Sequence, residues 1–158
     1  MNQKIRLRAI LFTLIVSLVS YEVYAMSILN AGKSLVFSEV NGLILSNGEP
    51  VPHAKVIRKV EWASLETDET TTDEQGRFHF PDAYQRSVSR LLPAEFVAAQ
   101  SLEVEVGGEP VKIWSNTKRS TDKNAELGGA ALNLTCELSH PLALHREFGS
   151  ILRTNCTW

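Results

Sequence analysis

Four histidines, His53, His79, His140 and His145, have the widest chemical repertoire in this sequence. A histidine can relay protons near neutral pH or hold a transition metal, but either task needs partners at set spacings. His53 follows Pro52 in a turn-like stretch, and His79 alternates outward in "RFHF". The segment "HREFG" at 145–149 lacks the His-Glu-x-x-His order of a zinc peptidase. Neither Cys136 nor Cys156 sits in a Cys-x-x-Cys pair or beside a histidine. The acidic run "ETDETTTDE" at 66–74 is dense in oxygen ligands, yet it lacks the Asp-x-Asp-x-Asp-Gly order of a calcium loop. It reads instead as a solvated β-turn edge whose charges discourage aggregation. No Gly-x-Ser-x-Gly elbow or glycine-rich phosphate cradle occurs. The sequence therefore names no catalytic residue, no metal ligand and no cofactor, and it reads as a non-enzyme. One route to chemistry stays open. A pocket holding two or more of the four histidines with a carboxylate would revive the reading of the chain as a small hydrolase whose residues converge from separate strands.

Residues suited to contact are easier to find. Tryptophan and arginine are over-represented at interface hot spots. Trp62 precedes the acidic run, Trp114 opens the polar stretch "SNTKRSTDKN", and Trp158 is the last residue. Trp62 alternates with Val60 and reads as core or sheet cover. Trp114, Asn116, Lys118, Arg119 and Lys123, with Glu66 and Asp68 of the acidic run, are the candidate partner-binding residues.

The elements that must position these residues lie beyond an N-terminal segment of different character. "MNQKIRLR" carries Lys4, Arg6 and Arg8, "AILFTLIVSLVS" is a 12-residue apolar run, and Val23 and Ala25 place small residues before a cleavage site. That is the plan of a secretory signal peptide over residues 1–25, cut after Ala25. A membrane anchor is the alternative, although a spanning helix needs about 20 apolar residues and Glu22 interrupts the run. Removing three of 16 basic and one of 18 acidic residues leaves 133 residues, 26–158, of formal charge −4. One soluble domain is expected, with no basic stripe for nucleic acid and no membrane contact after cleavage. Cys136 and Cys156 are the only cysteines, and an oxidising compartment such as the periplasm pairs them. The closed loop of 20 residues is worth roughly 3 kcal/mol in the chain-entropy model.

Past the signal the apolar period is mostly two. Ala54, Val56, Val60 and Trp62 share one face; so do Phe78 and Phe80, Leu102, Val104 and Val106, Val111 and Ile113, and Leu132, Leu134 and Cys136. Such alternation predicts antiparallel strands with one wet face. Asn47-Gly48, Asp73–Gly76 and Gly107-Gly108 supply tight turns between them. A short helical turn is expected within "SVSRLLPAEFVAAQ", using Leu91, Leu92, Phe96 and Val97 and limited by Pro93. Residues 117–129 read as a long exposed loop. The predicted fold is all-β, an antiparallel sandwich with one short helical segment and a disulfide-tied C-terminus.

The landmarks Val40, Gly42, Ile44, Gly48, Pro50, Val51, Ala54, Val56, Thr72, Asp73, Gly76, Phe78 and Phe80 agree in order and spacing with a known pattern. Residues 36–81 resemble the carboxypeptidase regulatory-like domain, a transthyretin-type β-sandwich. That resemblance implies a non-catalytic scaffold. More loosely, "LPAEFVAAQ", "VKIW", "AELGGA" and "LTCEL…NCTW" resemble small exported bacterial proteins encoded beside type VI secretion effectors. Such proteins act as immunity proteins in the periplasm, blocking a toxin injected by sister cells. The resemblance implies a binding protein that occludes the active site of a toxic effector, itself a hydrolase. A cell-envelope accessory module binding carbohydrate or an assembly partner is the alternative.

Overall fold

The computed structural model describes residues 32–87 and 95–158. The expected signal segment 1–25 lies outside them, as do Leu91, Leu92 and Pro93 of the expected helical turn. No helix among the described residues is long and apolar enough to cross a membrane. The strands are β1 (Lys33–Phe37), β2 (Val40–Ser46), β3 (Glu49–Pro50), β4 (Lys55–Glu61), β5 (Leu65–Thr71), β6 (Arg77–Phe80) and β7 (Ala83–Arg86). Then follow β8 (Ala98–Val106), β9 (Glu109–Lys118), β10 (Leu132–Glu137), β11 (Ala143–His145), β12 (Leu152–Thr154) and β13 (Cys156–Thr157).

The protein is an all-β sandwich. A six-stranded sheet runs β11-β12-β9-β8-β4-β5. A five-stranded sheet runs β13-β10-β2-β3, with β6 also on β2, and β1 pairs with β7. Ladders within the two larger sheets are antiparallel except that β10 lies parallel to β2, from Leu132 beside Val40 to Glu137 beside Leu45.

Turn chemistry fixes the hairpins. Asn47 and Gly48 take φ of 53° and 83°, and Gly107 and Gly108 take 62° and 88°, the paired positive values of a type I′ reversal. In the third turn Gly76 N–H donates to the Asp73 carbonyl at 3.0 Å. The Asp73 carboxylate then accepts from the Gln75 and Arg77 N–H groups at 2.9 and 2.8 Å.

The inward faces meet as the alternation predicts. Val40, Ile44, Phe78, Phe80, Leu132 and Leu134 from one sheet pack with Val56, Val60, Leu102 and Val104 from the other. Gly42 lies opposite Phe78 in the β2–β6 ladder, and a Cβ there would stand 2.1 Å from the Phe78 ring. The glycine thus makes room for an aromatic side chain laid across the neighbouring strand. One inward position of β4 is not apolar. Arg58, 2% exposed, stacks its guanidinium 4.7 Å from the Phe80 ring centre and 5.5 Å from that of Phe37. It donates to both Asp68 oxygens at 3.0 and 2.6 Å and to the Pro81 carbonyl at 2.6 Å. Stacking and a bidentate partner make this burial tolerable.

Two expectations need correction, and one residue explains much of both. Leu102 of β8 opposes Trp114 of β9, while Glu103 opposes Lys112, so Ile113 is an extra residue in the ladder. Such a bulge shifts the phase of everything that follows. Ile113 and Trp114 both turn inward, and after them Asn116 and Lys118, rather than Ser115 and Thr117, occupy the core side. The stretch 117–129 is accordingly no exposed loop. β9 extends to Lys118, and Ala125–Leu127 form a 3-10 turn with Glu126 and Leu127 buried. That turn is the short helical segment among the described residues; Glu95, Phe96 and Val97 are irregular. Val106, expected inward, is 42% exposed at the tip of its hairpin.

Replacing Gly42 by alanine is expected to destabilise the fold by about 1–3 kcal/mol through overpacking against Phe78, measured as a lower urea midpoint at unchanged slope. A pH dependence follows from Glu137, which caps the Asn47-Gly48 turn. Its carboxylate accepts from the Ser139 hydroxyl and N–H and from the Gly48 and Asn47 N–H groups, and these hold its pKa down to about 2. Because the folded value is depressed, its stabilisation is complete above the ordinary carboxylate range and is lost as pH falls toward 2. The stability gap between the wild type and Glu137→Gln should close over that window in pH-resolved denaturation.

Candidate functional site

The expected contact surface does not assemble. Trp114, Asn116 and Lys118 are 0%, 3% and 1% exposed, because the Ile113 bulge turns them into the core; they cannot touch a partner. Asp68 is spent on Arg58. Arg119 and Lys123 are exposed, held by Glu95 at 2.7 Å and by Asp82 and Glu39 at 3.2 and 3.4 Å. Glu66 is exposed on β5, the acidic edge strand of the larger sheet. β5 is separated from β9 by β4 and β8, so Glu66 lies roughly 14 Å from the residues of β9 at the usual strand spacing.

What the bulge brings together instead is a buried polar cluster. Lys118 Nζ donates to Glu126 Oε2 at 2.7 Å, to the Asp122 carbonyl at 2.8 Å and to Ser38 Oγ at 3.2 Å. Glu126 also accepts from Ser38 N–H, Ser38 Oγ and Gln100 Nε2 at 3.0, 2.8 and 2.9 Å. Asn116 Nδ2 donates to Gln100 Oε1, and Ser150 Oγ to Asn116 Oδ1. Burial pushes the Glu126 carboxyl up, but the Lys118 charge and the surrounding donors outweigh it, and its pKa lies below the ordinary value. Each ammonium proton has an acceptor and both carboxylate oxygens are satisfied. The cluster is a structural pin with no free donor for a ligand.

The surface best built for recognition lies at the C-terminal edge. The bulged carbonyl of Ile113 accepts from Asn155 N–H at 3.3 Å and from Thr154 Oγ1 at 2.7 Å, which seats β12 and the start of β13. The disulfide then joins Cys136 to Cys156, directly opposite each other in the β10–β13 ladder. Two residues later Trp158 emerges, 45% exposed, with its ring 5.2 Å from that of His145 and 5.5 Å from that of Phe148. Beneath it is a cleft of about 420 Å³ between the edges of the two sheets, lined by His140, Pro141, Ala143, His145, Asn155 and Trp158 among others. Leu142, Leu144 and Ile151 are exposed beside it at 38%, 49% and 56%. A larger hollow of about 660 Å³ crosses the polar face of β2, β6 and β10, over Asn41, His79 and Asn133. We favour the smaller one, since ligand sites are mostly apolar with a few convergent polar groups.

The histidines distribute unequally. His53 meets Glu74 at 3.2 Å, and His79 meets Asn41 at 3.0 Å. His140 and His145 share the C-terminal cleft, and His145 Nδ1 lies 3.0 Å from Glu147 Oε1. Hydrogen bonds from its own backbone N–H and from His145 hold the Glu147 carboxyl below its ordinary value. The cleft therefore holds two histidines, one of them paired with a carboxylate that stands outside its lining. No group of three or more metal-ligating side chains occurs among the described residues. The sequence signal for this edge was present in "PLALHREFGSILRTNCTW", where Leu142 and Leu144 alternate and Ile151 and Arg153 answer them. Sequence reasoning reads only its cysteine, its histidine and its last tryptophan.

Removing one partner from a buried ion pair strands the other, so Lys118→Ala is expected to cost about 3–5 kcal/mol. Arg119→Ala and Lys123→Ala, whose pairs are exposed, should leave the denaturation midpoint close to that of the wild type. Guanidinium denaturation of the three variants separates these outcomes.

No curated protein and no solved structure matches the chain. A family model covers residues 40–141, from β2 through β10 and up to the threshold of β11. The chain belongs to the family described as a domain of unknown function, DUF6795.

Proposed function

We propose that the chain is an exported periplasmic binding protein that captures a toxic effector, a hydrolase, and neutralises it by occluding the active site. The observation that carries this reading is the C-terminal edge. There Trp158, Leu142, Leu144 and Ile151 stand exposed around an apolar cleft, on strands locked by a disulfide and by the Ile113 carbonyl. Rigid aromatic and aliphatic anchors beside a pocket are what interface hot spots consist of, and a preorganised edge loses little entropy on binding. The basic, apolar and small-residue plan of residues 1–25 and the paired cysteines support export to an oxidising compartment. The scaffold resembles a carboxypeptidase regulatory-like module, in keeping with a non-catalytic role. Relative to the sequence-based expectation, the contact surface moves from the Trp114 stretch to the other side of the bulge.

The pairing of His145 with Glu147 at 3.0 Å beside the cleft favours a second reading, a small hydrolase in which His145 is the general base and Glu147 orients its ring. The glycan-binding alternative calls for a flat aromatic platform, whereas the exposed Trp158 and Tyr84 belong to strands of different sheets or their ends.

Pull-down from periplasmic extract of a strain producing the toxin, followed by an activity assay, decides among them. Saturating wild-type protein is expected to abolish the hydrolase activity in a one-to-one complex, and Trp158→Ala to weaken inhibition at least tenfold. Unchanged toxin activity at saturation overturns the capture reading. Turnover of ester, peptide or glycan substrates by the chain alone, lost in His145→Ala, would establish the second.

A further inference from the structure

The two outer edges of the six-stranded sheet are treated differently by the sequence. At one end β5 reads "LETDETT", with Glu66, Asp68 and Glu69 along it. Charges of this kind are how natural sheets refuse an added strand. At the other end β11 reads "ALH" and carries no carboxylate or proline. It ends its ladder among the described residues, so one side of its backbone has no strand partner there.

The side chains around β11 sort by face. Leu144 lies opposite Arg153 in the β11–β12 ladder, so the two project outward together, and Leu142 and Arg146 stand exposed at the two ends of the strand. Ala143 and His145 project the other way, into the lining of the cleft under Trp158. Seven cations elsewhere in the fold, Lys55, Arg58, Lys59, Lys112, Lys118, Arg119 and Lys123, sit on carboxylates. The guanidinium groups of Arg146 and Arg153 reach none among the described residues, a state they share with Arg77 on the other sheet. Two unspent positive charges therefore stand beside a bare strand edge, Arg153 on its outer face and Arg146 at its end, with an apolar cleft on its inner face.

We infer that β11 is a docking strand for an extended segment of the partner protein in which apolar and acidic side chains alternate. The segment adds to the sheet by main-chain hydrogen bonds. Its inward side chains fill the cleft beside His145 and Trp158. Its outward carboxylates meet Arg146 and Arg153, and the charges also steer its approach. The inference rests on the reading of the chain as a partner-capturing protein and supplies the chemistry of what is captured.

The test uses the disulfide-intact protein and a blocked nine-residue peptide alternating leucine and glutamate. Controls are the same peptide with lysine for glutamate, and the leucine–glutamate peptide N-methylated along one edge. Titration calorimetry gives affinity, and amide hydrogen exchange at residues 143–145 gives the mode. Saturable binding with slowed exchange at β11 is expected, weakened at least tenfold by N-methylation and by the double variant Arg146→Gln, Arg153→Gln. No binding, equal binding of the lysine peptide, or indifference to N-methylation overturns the proposal. So does protection of residues 143–145 that rises with protein concentration alone, which would put a second copy on this edge. If the peptide binds but the toxin is not inhibited, the toxin reading fails and the docking strand stands. If the toxin is inhibited without peptide binding, the reverse holds.

Discussion

One extra residue in β9 governs both ends of this molecule. By inserting Ile113 into the ladder with β8, the chain reverses which side chains of its longest strand face the core. Downstream the consequence is electrostatic. Lys118 arrives inside, and only a buried anion with further donors and acceptors around it makes that position tenable. Glu126 on its 3-10 turn, Ser38 before β2 and Gln100 on β8 supply them. Toward the C-terminus the consequence is geometric. The carbonyl displaced by the bulge is taken up by Thr154 and Asn155, and that junction decides where the last two strands and Trp158 stand.

Two parts of the molecule treat their charged groups in opposite ways. Arg58 and the Lys118–Glu126 cluster are closed: their donors and acceptors are matched within the chain. They hold separate strands in register and offer nothing to solvent. The C-terminal edge is open: its aliphatic side chains are wet, and among the described residues its arginines have no carboxylate and its outermost strand has a vacant flank. Recognition belongs to surfaces of the second kind, because a group already satisfied has little left to gain from a partner.

Much of the scaffold was legible in the sequence because its information is local. Glycines with positive φ at 48, 76, 107 and 108 announce the turns by residue type alone. Phe78 with Phe80, and Leu132 with Leu134, show their faces by alternation. The cysteines needed only counting. What escaped has a common cause. A bulge leaves no mark on a period-two pattern read residue by residue, so Trp114, Asn116 and Lys118 read as candidates for contact although they face the core. Arg58 sits in phase with Val56 and Val60 and breaks their apolar run, a clue to a buried guanidinium that is explicable only once Phe37, Phe80 and Asp68 are seen around it. β5 has almost no apolar residue to alternate. The meeting of His140, His145 and Trp158 depends on the disulfide and on β12, which no local spacing encodes.

The parallel pairing of β2 with β10 has a temporal consequence. Asn41 and Asn133 are neighbours across that ladder although 92 residues separate them in the chain. Closing so large a span costs entropy before any contact rewards it, and folds dominated by distant pairings form slowly. The central strand of the smaller sheet must wait, half-matched, until β10 has emerged. A chain built this way stays pliable until its β10 segment is available to pair, and the arrival of that one strand decides when the smaller sheet can close.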